Sequence, residues 1–192
     1  MSDTGDAKKR YYGKYRGTVL INVDPMNLGR ITAMVPAVFG VVPSGWALPA
    51  LPLAGVLLGL FAVPPIGAWV WIEFEAGDPE HPIWSGCFWG EGMTPLPAKL
   101  PAPPPGVKVV LQTQTGHNIV LDDTPGAGGI LITASPGVPG AAPMVSVTPL
   151  GIILSTPACT MTITSAGVTI TAPTVTINGH PTSINGTGLV VV

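Results

Sequence analysis

The chain has 192 residues, of which 46% are hydrophobic and only 9% are charged, and its formal net charge is −2. Intrinsic disorder needs low hydrophobicity and high net charge, and binding along a nucleic-acid backbone needs a basic surface, so this composition argues against both. The 25 Gly and 23 Pro residues are instead interpreted as turns between many short strands.

The first ten residues, 1–10, form a polar N-terminal arm without the apolar stretch of a signal peptide, so no Sec-type export is expected. Further on, no charged residue occurs between Arg30 and Glu73, but six prolines interrupt this run. Its longest uninterrupted piece, residues 53–63, is too short to cross a bilayer as a helix. The sequence therefore predicts a protein that is not an integral membrane protein.

Residues 11–92 contain all the Trp, Tyr and Phe residues of the chain and are predicted to form a barrel domain. Short strands are expected at 15–22, 30–36 and 68–75. The last of these alternates: Val70, Ile72 and Phe74 on one face, and Trp69, Trp71, Glu73 and Glu75 on the other. About five short strands separated by Pro and Gly turns predict an all-β, OB-type barrel.

Residues 93–106 contain six prolines and are predicted to form a semi-rigid extended linker. The next segment, 107–180, changes character, because no charged residue occurs after Asp123. A seven-residue repeat stands out at 160–180, with the pattern Thr-Ile after a Met or Val. Its equivalent apolar positions are Met161, Val168 and Val175, and Ile163, Ile170 and Ile177, with Thr between them.

Each repeat unit predicts a strand of about four residues and a turn, with its apolar side chains on one face and Thr on the other. One such ribbon cannot bury its apolar face alone, so units must stack. Three chains around one axis would place the six repeat residues in a needle core and pair the exposed strand edges. A monomeric β-solenoid is the alternative, although seven residues are few for a closed turn.

Ordered motifs in the barrel segment carry a family resemblance. They are Asn22-Val23-Asp24-Pro25, Leu28-Gly29-Arg30, Pro65-Ile66-Gly67, and Gly77-Asp78-Pro79 followed by Pro82. Together with residues 109–134, this ordered set resembles phage baseplate assembly protein V and the valine-glycine-repeat (VgrG) spikes of contractile injection systems. The resemblance implies an N-terminal OB-fold barrel followed by a trimeric, intertwined, triple-stranded β-helix needle.

The resemblance also implies a function and partners. A homotrimer would be the membrane-puncturing central spike at the baseplate of a contractile phage tail or phage-like injection system. It would be assembled in the host cytoplasm, seated on a separate hub protein and through it on the tail tube, and would contact the target cell envelope transiently. An alternative setting is a type VI or extracellular contractile injection system in which the spike carries a tip protein or an effector.

Short spikes of this kind often end in a His-x-His motif that binds iron on the threefold axis. Here only His180 occupies such a position, in Asn178-Gly179-His180, so it is the one candidate metal ligand, with iron or another ion as the axial cofactor. Residues 181–192 end in an apolar stretch. They are expected to form the apex or to dock a PAAR-like tip protein.

Catalysis is not predicted. Glu73 and Glu75 fit a charged barrel rim, and no nucleophile motif accompanies His117, Asp122 and Asp123. The Gly-rich segment 124–129 lacks the ending of a phosphate-binding loop and is interpreted as a β-turn. A trimeric receptor-binding fibre or adhesin, and an enzyme on a β-solenoid, are the rival classes. Cys87 and Cys159 are expected to be buried apolar thiols.

Overall fold

The computed structural model describes residues 9–99, 107–134 and 142–177. The chain divides into two compact units, Met1–Thr94 and Pro95–Val192. In the described residues of both units, β-strands are the main regular structure, and the two α-helices have four residues each. No helix in these residues is long and apolar enough to span a membrane.

The first unit is built on a curled sheet. In chain order its elements are β1 (Tyr15–Ile21), β2 (Thr32–Met34), α1 (Pro36–Phe39), β3 (Leu48–Pro49), β4 (Ala54–Gly55), β5 (Leu58–Gly59), β6 (Trp69–Phe74) and β7 (Pro82–Cys87). Among the described residues, five strands join in the order β2-β1-β6-β7-β3, antiparallel except for the parallel pair β3 and β7. This curled, OB-like arrangement confirms the predicted barrel fold.

Alternation along β6 places its apolar residues in the barrel core. Val70 and Ile72 have no exposed surface and Phe74 is 7% exposed, whereas Trp69, Trp71 and Glu73 lie on the outer face. The expectation for these side chains is confirmed. Glu75 differs because the strand ends at Phe74, and Glu75 begins a single 3₁₀ turn, Glu75–Gly77. The rest of the core comprises Val19, Ile31, Ala33, Val35, Ala47 and Trp84.

The second unit contains a regular β-meander. After the short helix α2 (Leu96–Lys99), its strands are β8 (Lys108–Gln112), β9 (Asn118–Asp122), β10 (Gly129–Thr133), β11 (Met144–Thr148), β12 (Gly151–Ser155), β13 (Thr160–Thr164) and β14 (Gly167–Thr171). Within residues 107–134 and 142–177 these seven strands form one antiparallel sheet in sequential order. Each has five residues, so the sheet is narrow and extends along its hydrogen-bonding direction.

Only two of the three units of the seven-residue repeat form strands among the described residues. Its first two units form β13 and β14, but residues 174–177 of the third unit are not in a strand, and Val175 and Ile177 are 51% and 71% exposed. The predicted turn at 124–129 is present up to Gly128, since Thr124 O accepts the N–H groups of Ala127 and Gly128, and Gly129 begins β10. Both cysteines are exposed, so the expectation of buried thiols is wrong.

Candidate functional site

The meander register collects the apolar side chains of the second unit into two rows. Each strand contributes two residues, and each pairs with its counterpart on the next strand. Row one comprises Val109, Leu121, Ile130, Val147, Ile152, Ile163 and Val168; row two comprises Leu111, Ile119, Ile132, Val145, Leu154, Met161 and Ile170. Paired residues in a sheet share a face, so all fourteen form one surface, which we call the apolar face.

Most of the apolar face is left exposed by the described part of the chain. Eleven of its fourteen side chains are more than a third exposed, from Ile152 at 37% to Leu111 at 65%. Monomeric proteins rarely expose contiguous apolar patches larger than a few hundred Å², and larger ones mark interaction surfaces. A surface of fourteen adjacent aliphatic and Met side chains exceeds that range. We therefore expect a partner surface to cover the apolar face of the second unit.

A shallow cavity of about 410 Å³ lies on this face. Row two supplies part of its lining, including Leu154, Met161 and Ile170, and the turn between β12 and β13 adds Cys159. The lining is almost entirely apolar. Such a depression can receive apolar side chains from a partner surface and offers few polar groups to orient a small ligand.

The opposite face of the sheet changes from aliphatic residues at β8 and β9 to Thr at β13 and β14. Its middle row comprises Val110, Val120, Leu131, Ser146, Ile153, Thr162 and Thr169, from β8 to β14. Val120 is only 6% exposed, whereas Thr169 is exposed. The prediction of Thr opposite the apolar residues is therefore confirmed for β13 and β14. At the other end, Lys108 pairs with Asp122 at 3.1 Å, and hydrogen bonds from Thr124, with the nearby Lys108, lower the pKa of Asp122.

Glycines at one end of the strands allow close approach of the neighbouring backbone. A Cβ atom on Gly129 would lie 2.2 Å from Val147 O, and one on Gly151 would lie 2.2 Å from Ile163 O. Gly151 also has a φ of +150°, a conformation that L side chains rarely adopt. These contacts fix where β10 and β12 begin, and the start of a strand decides which of its residues face the apolar side.

In the first unit, the loop before β2 is organised by Asp24, which is 7% exposed. Its carboxylate accepts the N–H groups of Met26 at 3.0 Å and Leu28 at 2.9 Å, and two bonds from Arg30, Nε at 3.0 Å and Nη2 at 2.6 Å. The Arg30 guanidinium, helped by these backbone donors, holds the pKa of Asp24 far below its usual range. This forked pair gives the loop one defined conformation.

The other predicted motif residues are turn and anchor positions around that loop. Trp84 Nε1 donates to Gly29 O at 3.0 Å, and Asn22 Nδ2 donates to Pro64 O at 3.1 Å, beside the Pro65–Gly67 turn. Gly67 and Gly77 have φ of +82° and +76°, which favours glycine. Asp78 follows as the residue after the 3₁₀ turn, Pro79 lies in the next loop, and the buried Pro82 begins β7. Pro25 follows Asp24 in the braced loop.

Arg30 and Pro82 also line one small cleft of about 190 Å³ with Glu80 and His81. The structure thus brings the second and fourth motifs together, and the described contacts of these motif residues are structural. The Glu73 carboxylate forms an ion pair with Lys14 on the outer face, which gives this carboxylate a structural role. His117 lies in the turn before β9, and its backbone N–H donates to Thr113 Oγ1 at 3.2 Å.

The outer face of the barrel sheet carries stacked aromatic rings. Trp71 and Phe88 lie with their centroids 4.5 Å apart, and Arg16 lies over both rings. Trp84, in contrast, is 5% exposed and belongs to the core. These two half-buried rings thus have the Arg16 guanidinium stacked on them, and Glu73 on the same face is paired with Lys14.

In the described part of the chain, no group of three or more His, Cys, Asp or Glu residues could hold a metal ion. His180, the predicted metal ligand, lies outside the described residues. The needle-core prediction named six residues. Met161, Ile163, Val168 and Ile170 lie on the apolar face, whereas Val175 and Ile177 are not in a strand. The prediction did not include the ten positions on β8 to β12. The sequence carries the same apolar pair seven residues apart at Val145/Val147 and Ile152/Leu154, and a looser version at Ile119/Leu121 and Ile130/Ile132.

Two family models match the chain, and between them they cover most of it. Residues 15–89 match the type VI secretion system/phage-baseplate injector OB domain. Residues 108–190 match the phage baseplate V C-terminal trimerisation domain. No curated protein matches the sequence.

Proposed function

The chain belongs to the phage baseplate V family of injector spike proteins, and on this premise we propose that it is the membrane-puncturing central spike of a contractile phage tail or a phage-like injection system. The trimerisation domain makes the chain part of a homotrimer, and the family makes it a component of a baseplate.

The observation that carries the proposal is the continuous apolar face of β8 to β14. Three copies of this face around an axis would cover one another and leave the Thr-rich row of β13 and β14 in solvent. Strands of five residues are about 17 Å long, so the axis of a triangular prism with such sides lies about 5 Å from each sheet. Half of the ~10 Å spacing between packed sheets is also about 5 Å, so the side chains would fill the interior.

A filled core suits a mechanical role. Six spacings of about 4.8 Å give the seven-stranded stack a length of roughly 29 Å, with every strand hydrogen-bonded to the next. No charged residue occurs in the sequence after Asp123, so β10 to β14 pack together without desolvating a charged side chain. Stiffness and shape, rather than catalysis, would then be what the molecule contributes during contraction.

The barrel would seat the needle on a separate hub protein and through it on the tail tube. The Asp24–Arg30 pair supports this role because it holds a surface loop in one conformation, as a docking surface requires. A tip-bearing type VI or extracellular injection system remains the alternative setting. His180 and residues 181–192 are proposed as the apex, where three imidazoles could bind an axial metal ion.

Electron microscopy of the contractile particles that incorporate this chain tests the assignment. A tag fused at the N-terminus is expected on the tail axis at the baseplate in extended particles. Contraction should move it outward with the tube. Labels at the periphery of the baseplate, or on fibres, would instead indicate a receptor-binding fibre and would refute the spike assignment.

A further inference from the structure

The β4–β5 hairpin of the barrel unit is an apolar projection that the proposed spike role does not use. Among the strands that the structure describes, its two strands pair only with each other, through Ala54 with Gly59 and Gly55 with Leu58, and are not part of the five-stranded sheet. Its exposed side chains are Leu53 at 52%, Val56 at 95%, Leu57 at 104%, Leu58 at 62%, Leu60 at 53% and Phe61 at 70%. The sequence around it, between Arg30 and Glu73, has no charge.

Leu57 at the apex is an independent sign that the hairpin has a partner. Its φ is +56°, in the left-handed region, at the second residue of a two-residue turn. Turn chemistry favours Gly there because it lacks a Cβ, or Asn because its short polar side chain tolerates the left-handed region, whereas Leu is strained. The Leu57 side chain gains nothing from its own chain, since it is fully exposed. Strain kept at an exposed apolar residue points to a contact made outside this chain.

We propose that the β4–β5 hairpin packs against the barrel of a neighbouring copy in the homotrimer. The inference rests on the trimer described above, which tethers three barrels to one assembly. Residues 95–107 separate the barrel unit from β8 and span at most about 45 Å when fully extended. Short tethers of this kind give effective concentrations in the millimolar range, so a modest apolar contact forms within the trimer.

A second apolar surface on the barrel can receive the hairpin. The loop after α1 presents Val41 at 89% exposed and Val42 at 60%, with no charged neighbour in the sequence. A head-to-tail contact needs two different patches on every copy, and rotation by one third of a turn closes it into a ring of three. The barrel has both patches, whereas docking of a single foreign protein would need only one.

Thiol accessibility in the full-length trimer tests the contact. In a background with Cys87→Ser and Cys159→Ser, Leu57→Cys is expected to react with a maleimide at least tenfold more slowly than Glu91→Cys, a control on an exposed charged position of the same unit. The two rates should become equal in denaturant. Native rates that are already equal in a trimer verified by sedimentation would overturn the proposal and leave the spike assignment intact.

The covering molecule is identified by cross-linking. The double variant Leu57→Cys and Val41→Cys, treated with a short bis-maleimide, should give covalent trimers on a denaturing gel. Their yield should not change on tenfold dilution of the protein. Each single variant can give at most covalent dimers. A second copy would be refuted as the occupant if the thiol introduced at position 57 were protected but gave no inter-chain product. It would also be refuted if protection appeared only when lipid vesicles or other baseplate proteins were added.

Leu57→Gly separates strain from contact by the sign of its effect. Glycine relieves the left-handed backbone at position 57, so a hairpin without a partner would keep or raise the Tm of the barrel unit. Loss of an inter-copy contact would lower that Tm and speed maleimide labelling of Val41→Cys. A raised Tm with unchanged labelling would contradict the proposal.

Discussion

Replacement of Ile170 by Asp probes the apolar face at a defined position. In the single chain Ile170 is 52% exposed, and it pairs with Met161 in row two. Full burial of an Ile side chain stabilises by about 1.5–3 kcal/mol, so covering the exposed half contributes about 1 kcal/mol per chain and about 3 kcal/mol per trimer. The carboxylate adds a larger penalty, because desolvating an ion costs several kcal/mol.

Three carboxylates introduced at position 170, near one axis, would therefore cost on the order of 10 kcal/mol per trimer, comparable to the whole stability of a domain. We expect Ile170→Asp to prevent assembly, giving monomers in sedimentation velocity and no SDS-resistant trimer on an unboiled gel. Thr169→Asp is the matched control. It places the same residue in the same strand on the opposite, exposed face, where its charge stays in water.

The comparison isolates the face, because both variants carry the same loss of strand propensity. A stable Ile170→Asp trimer with an unchanged melting temperature would show that row two is not in the trimer core. Equal loss of assembly in both variants would show that strand propensity, rather than burial, was being measured. Either result would refute the derivation of the needle from the two rows.

Three further predictions concern other sites. Gly151→Ala should destabilise the second unit by about 1–3 kcal/mol, because its φ is +150° and the added methyl group would meet Ile163 O; an unchanged denaturant midpoint would contradict this. Asp24 has a folded pKa below its unfolded value, so the pair with Arg30 stabilises above the unfolded pKa and is lost as pH falls below it. Asp24→Asn should lower Tm at pH 7 and weaken its acid dependence below about pH 4; an identical pH profile would refute this. Elemental analysis decides the prediction for His180: one metal ion per trimer, absent from His180→Ala, supports it, and metal-free wild type refutes it.

The sequence determined the parts that depend on local periodicity. Alternation in β6 separated Val70, Ile72 and Phe74 from the outward-facing residues, since side chains of a strand point to opposite faces in turn. The same rule placed Met161, Ile163, Val168 and Ile170 on one face of β13 and β14. Turn residues such as Gly67 and Gly77 were recognisable because positive φ leaves little choice but glycine.

Pairing between strands was decided only by the tertiary structure. The repeat aligns Met161 with Val168, but the strands are antiparallel, so Met161 pairs with Ile170 and Ile163 with Val168. The connections between strands also differ in length, from two residues after β11 to ten after β10. A fixed sequence period therefore could not show that β8 to β12 continue both rows.

The solvent exposure of individual residues could not be predicted from local sequence patterns either. The apolar run at 53–61 and the two cysteines look like core residues by composition, yet they lie on the surface of the single chain. Conversely, Asp24 and Arg30 are polar but largely enclosed, because each satisfies the other. Burial depends on which distant segments of the chain meet. The sequence therefore determined the strands and the apolar face of each strand, and the tertiary structure decided which of these faces stay exposed in the single chain.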